Sequence, residues 1–332
     1  MIDGLTVGAY AAAPQRTPLS GPDEDYWYAL LGDLDHATGI EVFFRGSLHP
    51  LGPRRLAHLL PEGWHVVATM LPQAIARQAA DPGYGLASDS VEGRRAAVAD
   101  GRALFGELQT IADLLGRDPT RAVHLHSAPR AALESHARSS AAALTASLGE
   151  LAELADEHGL GAALVVEHCD ALVPGQPPAK GYLTLDAEIE AVRDARIRST
   201  GAGTAPVYGQ SVNWGRSAIE GRSADTAVAH LAALDRAATL AGLMFSGAPS
   251  TDGVLGAAWN DLHNPLAADD PSSLLTRDEI RRSLGILSPD AASRLLYLGA
   301  KVQDPADSDD LSTRLDPLRA VLATVHTEWN RS

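Results

Sequence analysis

Short runs of β-branched or apolar residues alternate along the chain with longer stretches whose apolar positions recur every three or four residues. That alternation is the pattern of βα units and a parallel sheet. The runs 5–12, 40–45, 64–70, 122–127, 163–169, 206–212, 242–246 and 295–303 are each expected as a strand. The first intervening helix is expected to start at Pro22, with Tyr26, Leu30 and Leu34 facing inward. A short helix over 54–60 follows the second strand. A long one carrying Leu104, Leu108, Ile111 and Leu115 follows the third, ended by Gly116. Leu144, Leu148 and Leu151 mark the next, stopped by Gly159, and Thr184 opens another with Asp186 and Glu188 in its first turn. Ser223 caps a helix with Val228, Leu231 and Leu234 inward. Thr276 and Glu279 form a capping box, and Asp316 with Pro317 opens a final helix striped by Leu318, Leu322, Val325 and Trp329.

Eight strands alternating with eight helices is the count of a (β/α)8 TIM barrel. Such a barrel takes ~250 residues, leaving roughly 80 of this chain for insertions. Stretches 72–90, 171–182 and 247–273 read as loops that absorb them, the last two following strands five and seven. No Gly-rich phosphate turn follows the first strand, which argues against a doubly wound dinucleotide fold. No linker or low-complexity block divides the sequence, so residues 1–332 are read as one domain.

Composition narrows the function. Of 332 residues, 27 are Lys or Arg against 42 Asp or Glu, a formal charge of −15. That surplus repels phosphate backbones, so nucleic acid is not expected as a partner. One cysteine, Cys169, excludes an internal disulfide and a cysteine-rich zinc site. No signal peptide or membrane span is read from the sequence, so a cytoplasmic protein is expected, with self-association into a homo-oligomer left open.

Barrel enzymes build their sites at the C-terminal ends of the strands. Those ends offer Gln15, Arg16, Glu41, Arg45, Thr69, His124, His126, Glu167, His168, Asp170, Gln210, Asn213, Ser246, Lys301 and Gln303. Polar groups of this kind are costly to bury without partners. In Val165–Asp170, strand alternation puts Glu167 and Cys169 on one face and His168 and Asp170 on the other. Glu167 is expected at the barrel mouth, as a metal ligand or a base, or else in a buried ion pair with a neighbouring Arg or Lys. Asp261 and His263, two apart after strand seven, could turn toward one cation, or be simple turn residues. His124 and His126 share a face, and His126 is the better candidate for a further ligand or acid. Lys301, in an otherwise apolar strand, could form a Schiff base, stabilise an enolate oxygen, or pair with Glu167 or Asp261. Trp214 offers a face for a sugar ring, and Asn213 and Arg216 offer polar contacts, in a stretch where Gly215 and Gly221 read as turns. His168 and Asp170 complete the candidate substrate contacts.

With these residues in place, the sequence resembles the xylose-isomerase-like barrels: sugar isomerases, sugar epimerases and the endonuclease IV type of repair enzyme. Gly39-Ile40-Glu41-Val42 resembles their second strand, Glu167 their metal-binding glutamate, and Asp261-Leu262-His263 the metal pair of the endonuclease branch. The Glu-His-Cys-Asp and Asn-Trp-Gly-Arg-Ser blocks resemble an uncharacterised bacterial family within that superfamily. Three ligand positions depart from the pattern: Asn213 stands for an Asp, Ser246 for a His, and Lys301 or Gln303 for a second Glu.

The resemblance implies a carbohydrate isomerase or epimerase using a divalent cation (Mn, Co, Zn or Mg) held by Glu167, Asp261, His263 and His126. The alternatives are a metal-free, Schiff-base lyase or aldolase-like enzyme using Lys301, and a non-catalytic barrel that binds a sugar.

Overall fold

The apolar runs pair in chain order. Each strand is parallel to the next, and the eighth returns to the first to close a barrel. The computed structural model describes residues 2, 4–14, 19–131, 138–199 and 207–331. Gln15 and Arg16, expected at the first strand end, and Pro206, expected to open the sixth strand, lie outside the described residues. The strands are β1 (Leu5–Val7), β2 (Ala37–Phe43), β3 (His65–Thr69), β4 (Thr120–Leu125), β5 (Ala163–His168), β6 (Tyr208–Asn213), β7 (Leu240–Phe245) and β8 (Tyr297–Ala300).

The first strand is shorter than expected because the chain turns at once into α1 (Ala9–Ala12). Gly8 marks that turn. A Cβ there would overlap the side chain of Lys301, so glycine leaves the lysine its path across the barrel.

Around the barrel lie α2 (Gly21–Gly32), α3 (Pro53–Leu59), α4 (Leu71–Ala80), α5 (Val91–Leu115), α6 (Ala141–Glu157) and α7 (Leu185–Ser199). They continue with α8 (Trp214–Gly221), α9 (Ala224–Arg236), α10 (Arg277–Gly285), α11 (Pro289–Arg294) and α12 (Asp316–Trp329). The expected caps hold: Ser223 accepts from the Asp225 N–H and Thr276 from the Glu279 N–H. Asp316 is instead the first residue of its helix, after Leu315.

Three expectations are corrected. In α2 Tyr26 is exposed and Trp27 and Leu31 are buried, while Leu30 packs partly buried against the core and Leu34, just past the helix, is buried as expected. The stretch 72–90 is not all loop, since α4 occupies its first half, where Pro72 starts a run of Ala, Gln and Arg. The stretch after β6 is helix α8 rather than a pair of turns. Gly215 is there because a Cβ would strike the backbone of Ser246 and Gly247.

Alternation along the strands sorts residues between two layers. Val67, Ala122, Ala163, Val165, Met244 and Tyr297 fill the barrel interior as a compact apolar plug. The opposite face of the sheet packs with the helices into the larger core. No helix among the described residues is long and apolar enough to cross a membrane.

Candidate active site at the barrel mouth

Above the plug the interior changes character. Val165, on β5 beside His124, is the last apolar residue of its row, and the next inward position is Glu167, beside Ser211. Glu41 on β2, His124 on β4 and Lys301 just past β8 join it, all essentially without exposure. Their burial demands compensation, and the geometry supplies it.

Lys301 Nζ lies 2.9 Å from Glu41 Oε1 and 2.9 Å from Glu167 Oε1. The other Glu167 oxygen, Oε2, accepts from Arg216 Nη1 at 2.5 Å and faces His126 Nε2 at 3.0 Å. Arg216 sits in the first turn of α8, so the short helix after β6 aims its guanidinium at the barrel axis. Its Nε donates to Asp261 Oδ2 at 2.9 Å, and Lys180 Nζ donates to the same oxygen at 2.8 Å. His263 Nδ1 stands 3.3 Å from the other Asp261 oxygen. The Tyr10 hydroxyl donates to Glu41 at 2.9 Å. Lys301, Arg216 and Lys180 thus balance Glu41, Glu167 and Asp261, three cations against three carboxylates.

The charge states follow from this balance. Burial works against ionisation of Glu167, but Arg216 and Lys301 outweigh it and hold the carboxyl well below its usual range. Asp261 is held down in the same way, burial being overcome by Arg216 and Lys180, and Glu41 by Lys301. Burial also disfavours the Lys301 ammonium, yet Glu167 and Glu41 reverse the sign and raise its pKa. The imidazoles go the other way: desolvation pushes both His126 and His263 down to about 4 despite their carboxylate neighbours. Both are neutral bases near pH 7.

A cavity of about 360 Å³ opens over this lattice. Tyr10, Thr69, Lys180, Arg216, Asp261 and His263 form its polar wall, and Leu71, Pro72 and Ile75 at the start of α4 form an apolar one. Glu167, His126 and Lys301 lie beneath the floor and do not line it.

Six of the expected site residues therefore converge: Glu167, His126, Lys301, Arg216, Asp261 and His263. Four do not join this cluster. Trp214 is wholly buried with its indole N–H on Ser283 Oγ at 2.9 Å, so it shows no face to a sugar. Asn213 is buried and accepts from Ser246 Oγ. His168 faces outward into the helix layer, between Glu188 Oε2 at 2.7 Å and Glu220 Oε2 at 2.8 Å. Asp170 accepts the Lys180 and Gly181 backbone N–H groups and so fixes the loop after β5. Sequence reasoning missed Tyr10 and Lys180. Tyr10 reads as part of a strand, and Lys180 sits in a Pro/Gly loop with no local signal.

Among the described residues, three triads have donor atoms within 4.8 Å of one another: His126–Glu167–Cys169, Glu41–His124–Glu167 and His168–Glu220–His230. None of them includes Asp261 or His263. In the two at the barrel axis, both oxygens of Glu167 already face a cation, Lys301 on one and Arg216 on the other. An ammonium and a guanidinium beside those oxygens repel a divalent ion, so the donor set does not fit the expected metal as it stands. The third triad is spent on His168, whose ring is held protonated: burial is outweighed by Glu188 and Glu220, raising its pKa to about 10.

The sequence model of a family described as a domain of unknown function, DUF4862, matches residues 6–317. An uncharacterised protein of Salmonella typhimurium is 33% identical over 318 residues, covering 95% of this chain and 94% of its own. Among solved structures, D-psicose 3-epimerase from Clostridium cellulolyticum, crystallised with D-tagatose, superposes with a TM-score of 0.59 at 12% identity over 98% of this chain and 99% of that one. A sugar phosphate isomerase/epimerase from Parabacteroides distasonis gives 0.56 at 9% identity, over 98% and 95%. A xylose isomerase domain protein from Salmonella typhimurium gives 0.54 at 10%, over 97% and 98%. At these identities the likeness establishes the fold alone, a (β/α)8 barrel shared along nearly the whole length of each chain.

Proposed function

The chain belongs to the DUF4862 family, and from the chemistry of its own barrel mouth we propose that it is a carbohydrate isomerase or epimerase that moves a proton at a carbon next to a carbonyl. The observation that carries this reading is the meeting of Arg216, Asp261 and His263 on one wall of the cavity. The sugar isomerases and epimerases that share the barrel support the substrate class.

In this scheme the substrate carbonyl oxygen accepts from Arg216. Nε and Nη1 of Arg216 are committed to Asp261 and Glu167, leaving the Nη2 hydrogens for a ligand. Neutral His263 takes the proton from the adjacent carbon, and the C–H electron pair moves into the carbonyl to give an enediolate. Asp261 stabilises the imidazolium that forms, and Arg216 stabilises the oxyanion. Return of the proton from His263 to the former carbonyl carbon, with the hydroxyl proton of the first carbon passing to the former carbonyl oxygen, gives an isomer; return to the first carbon on its opposite face, from a second donor on that face, gives an epimer. Glu167 and His126 lie beneath the floor and hold Arg216 in place.

The Schiff-base alternative is not favoured, because Lys301 is enclosed away from the cavity and kept as an ammonium, which is not a nucleophile. The decisive assay incubates the protein in D2O with ketoses, aldoses, their phosphates and sugar acids, and follows C–H exchange by NMR. Exchange lost in His263→Asn supports the proposal. Ligand-induced thermal stabilisation with no exchange anywhere in the panel would instead make the barrel a sugar-binding protein.

A further inference from the structure

We propose that Arg216 and Lys301 together form a permanent, protein-borne electrophile that takes the place of a divalent cation at Glu167, so that the site works without a metal. The inference rests on the carbohydrate reading only for the identity of the reacting oxygen; the claim about cations stands on geometry alone.

Glu167 is the carboxylate that a metal at the barrel axis would need, and each of its oxygens is engaged by a fixed positive group. Lys301 is bound on two sides, by Glu41 and Glu167, and its stem crosses the barrel over Gly8, where no side chain obstructs it. Arg216 is likewise bound on two sides, by Glu167 and Asp261. Carboxylates that would surround a metal are here divided among three organic cations, Lys301, Arg216 and, on Asp261, Lys180, and the resulting set of six is neutral. Adding a divalent ion to a neutral, fully paired and buried set requires Lys301 or Arg216 to leave, and Lys301 has no exposed surface from which to swing into water.

The chemical consequence is a division of labour. Arg216 reaches the cavity and meets the substrate oxygen, while Lys301 acts through Glu167 as a positioning residue. With the ammonium on Oε1, Glu167 keeps Oε2 for Arg216, and the guanidinium presents its remaining edge upward. A guanidinium offers directed N–H donors where a metal offers an open coordination sphere, so the site recognises a carbonyl or enediolate oxygen by hydrogen bonding. The proton transfer is otherwise unchanged: one C–H bond breaks, one forms, and no co-reactant is consumed.

The test needs no substrate. Full-length protein is stripped with chelator, dialysed against Mn, Co, Zn or Mg, and assayed for retained metal by mass spectrometry and for a change in melting temperature. The expected result is no stoichiometric metal and no shift in the wild-type chain. Lys301→Glu, with Lys301→Gln as the milder variant, bares the carboxylates and is expected to gain a melting temperature that rises with added divalent ion. Where a variant is unfolded without metal, regain of its circular dichroism spectrum on metal addition is the same readout. One equivalent of metal retained by the wild type, with a rise in its melting temperature, overturns the proposal. So does a failure of both variants to respond to any of the four ions. Neither result touches the carbohydrate reading, which stands or falls on the D2O exchange assay.

Discussion

Replacing Lys301 by Met isolates the electrostatics of the barrel mouth, because methionine has nearly the same length and fills the same path over Gly8. Two carboxylates, Glu41 and Glu167, lose a buried partner at 2.9 Å each. Arg216 and His126 remain on Glu167, and Tyr10 remains on Glu41, so the loss is partial on both sides. Breaking a buried pair by removing one partner costs about 3–5 kcal/mol, and ~4 kcal/mol is the fair expectation here. With an unfolding entropy of ~2.1 cal/mol/K per residue, a chain of this length loses ~0.7 kcal/mol of stability per degree near its midpoint, so the melting temperature should fall by about 6 °C. The loss should also depend on pH. In the wild type Glu41 ionises below its usual range, so its stabilising contribution is present above the unfolded carboxylate pKa and is lost as pH falls through the folded value. In the variant, burial of Glu41 outweighs the Tyr10 hydrogen bond that remains, and the carboxyl pKa rises, which reverses the sign. The stability gap between the two proteins should therefore be widest near pH 8 and narrow toward pH 5, measured by urea unfolding followed by circular dichroism. A loss below ~1 kcal/mol, or a gap constant over that range, would refute the claim that Lys301 neutralises these carboxylates.

Arg216→Lys keeps the charge but cannot serve Glu167, Asp261 and a substrate at once. It should lower kcat by about 10²–10³ with a smaller change in KM, read from exchange kinetics. Trp214→Phe should cost about 1 kcal/mol through the lost bond to Ser283 and leave KM unchanged; a raised KM would return the indole to the substrate site. His168→Gln removes an imidazolium whose pKa is raised to about 10 between Glu188 and Glu220, with His230 and Ser127 alongside. A raised pKa means the contribution is full below about pH 6.5 and is lost as pH climbs toward 10, so wild type and variant should converge in alkaline urea melts.

Much of the architecture is legible in the sequence because strand alternation and helix period are local signals. The eight apolar runs need only their own composition to be recognised, and Ser223 and Thr276 announce their helices within three residues. Glu167 is legible for the same reason, as a carboxylate ending an apolar strand. What it binds is not, since Lys301 and Glu41 are 260 positions apart and meet only once the barrel closes. Lys180 meets Asp261, 81 positions away in sequence, from a loop that Asp170 holds through the Lys180 and Gly181 backbone N–H groups. Trp214 and Gly215 look like a substrate loop, since nothing in the local sequence shows that the glycine is crowded by the backbone after β7. The one-residue error in α2 has a similar origin: Tyr26 and Trp27 are both large and aromatic, and only packing decides which one points inward.

The ion pair between Lys180 and Asp261 ties together the two longest excursions of the chain beyond the strands, one after β5 and one after β7. Neither loop is then a free module. An insertion or deletion in one shifts a charge that the other must meet, so the two would be expected to drift in length together over evolution. For the engineer, re-shaping this barrel mouth by grafting one loop alone would either strand the Lys180 ammonium or leave Asp261 with Arg216 as its remaining cation. The unit to transplant is the pair, with Asp170 at its root.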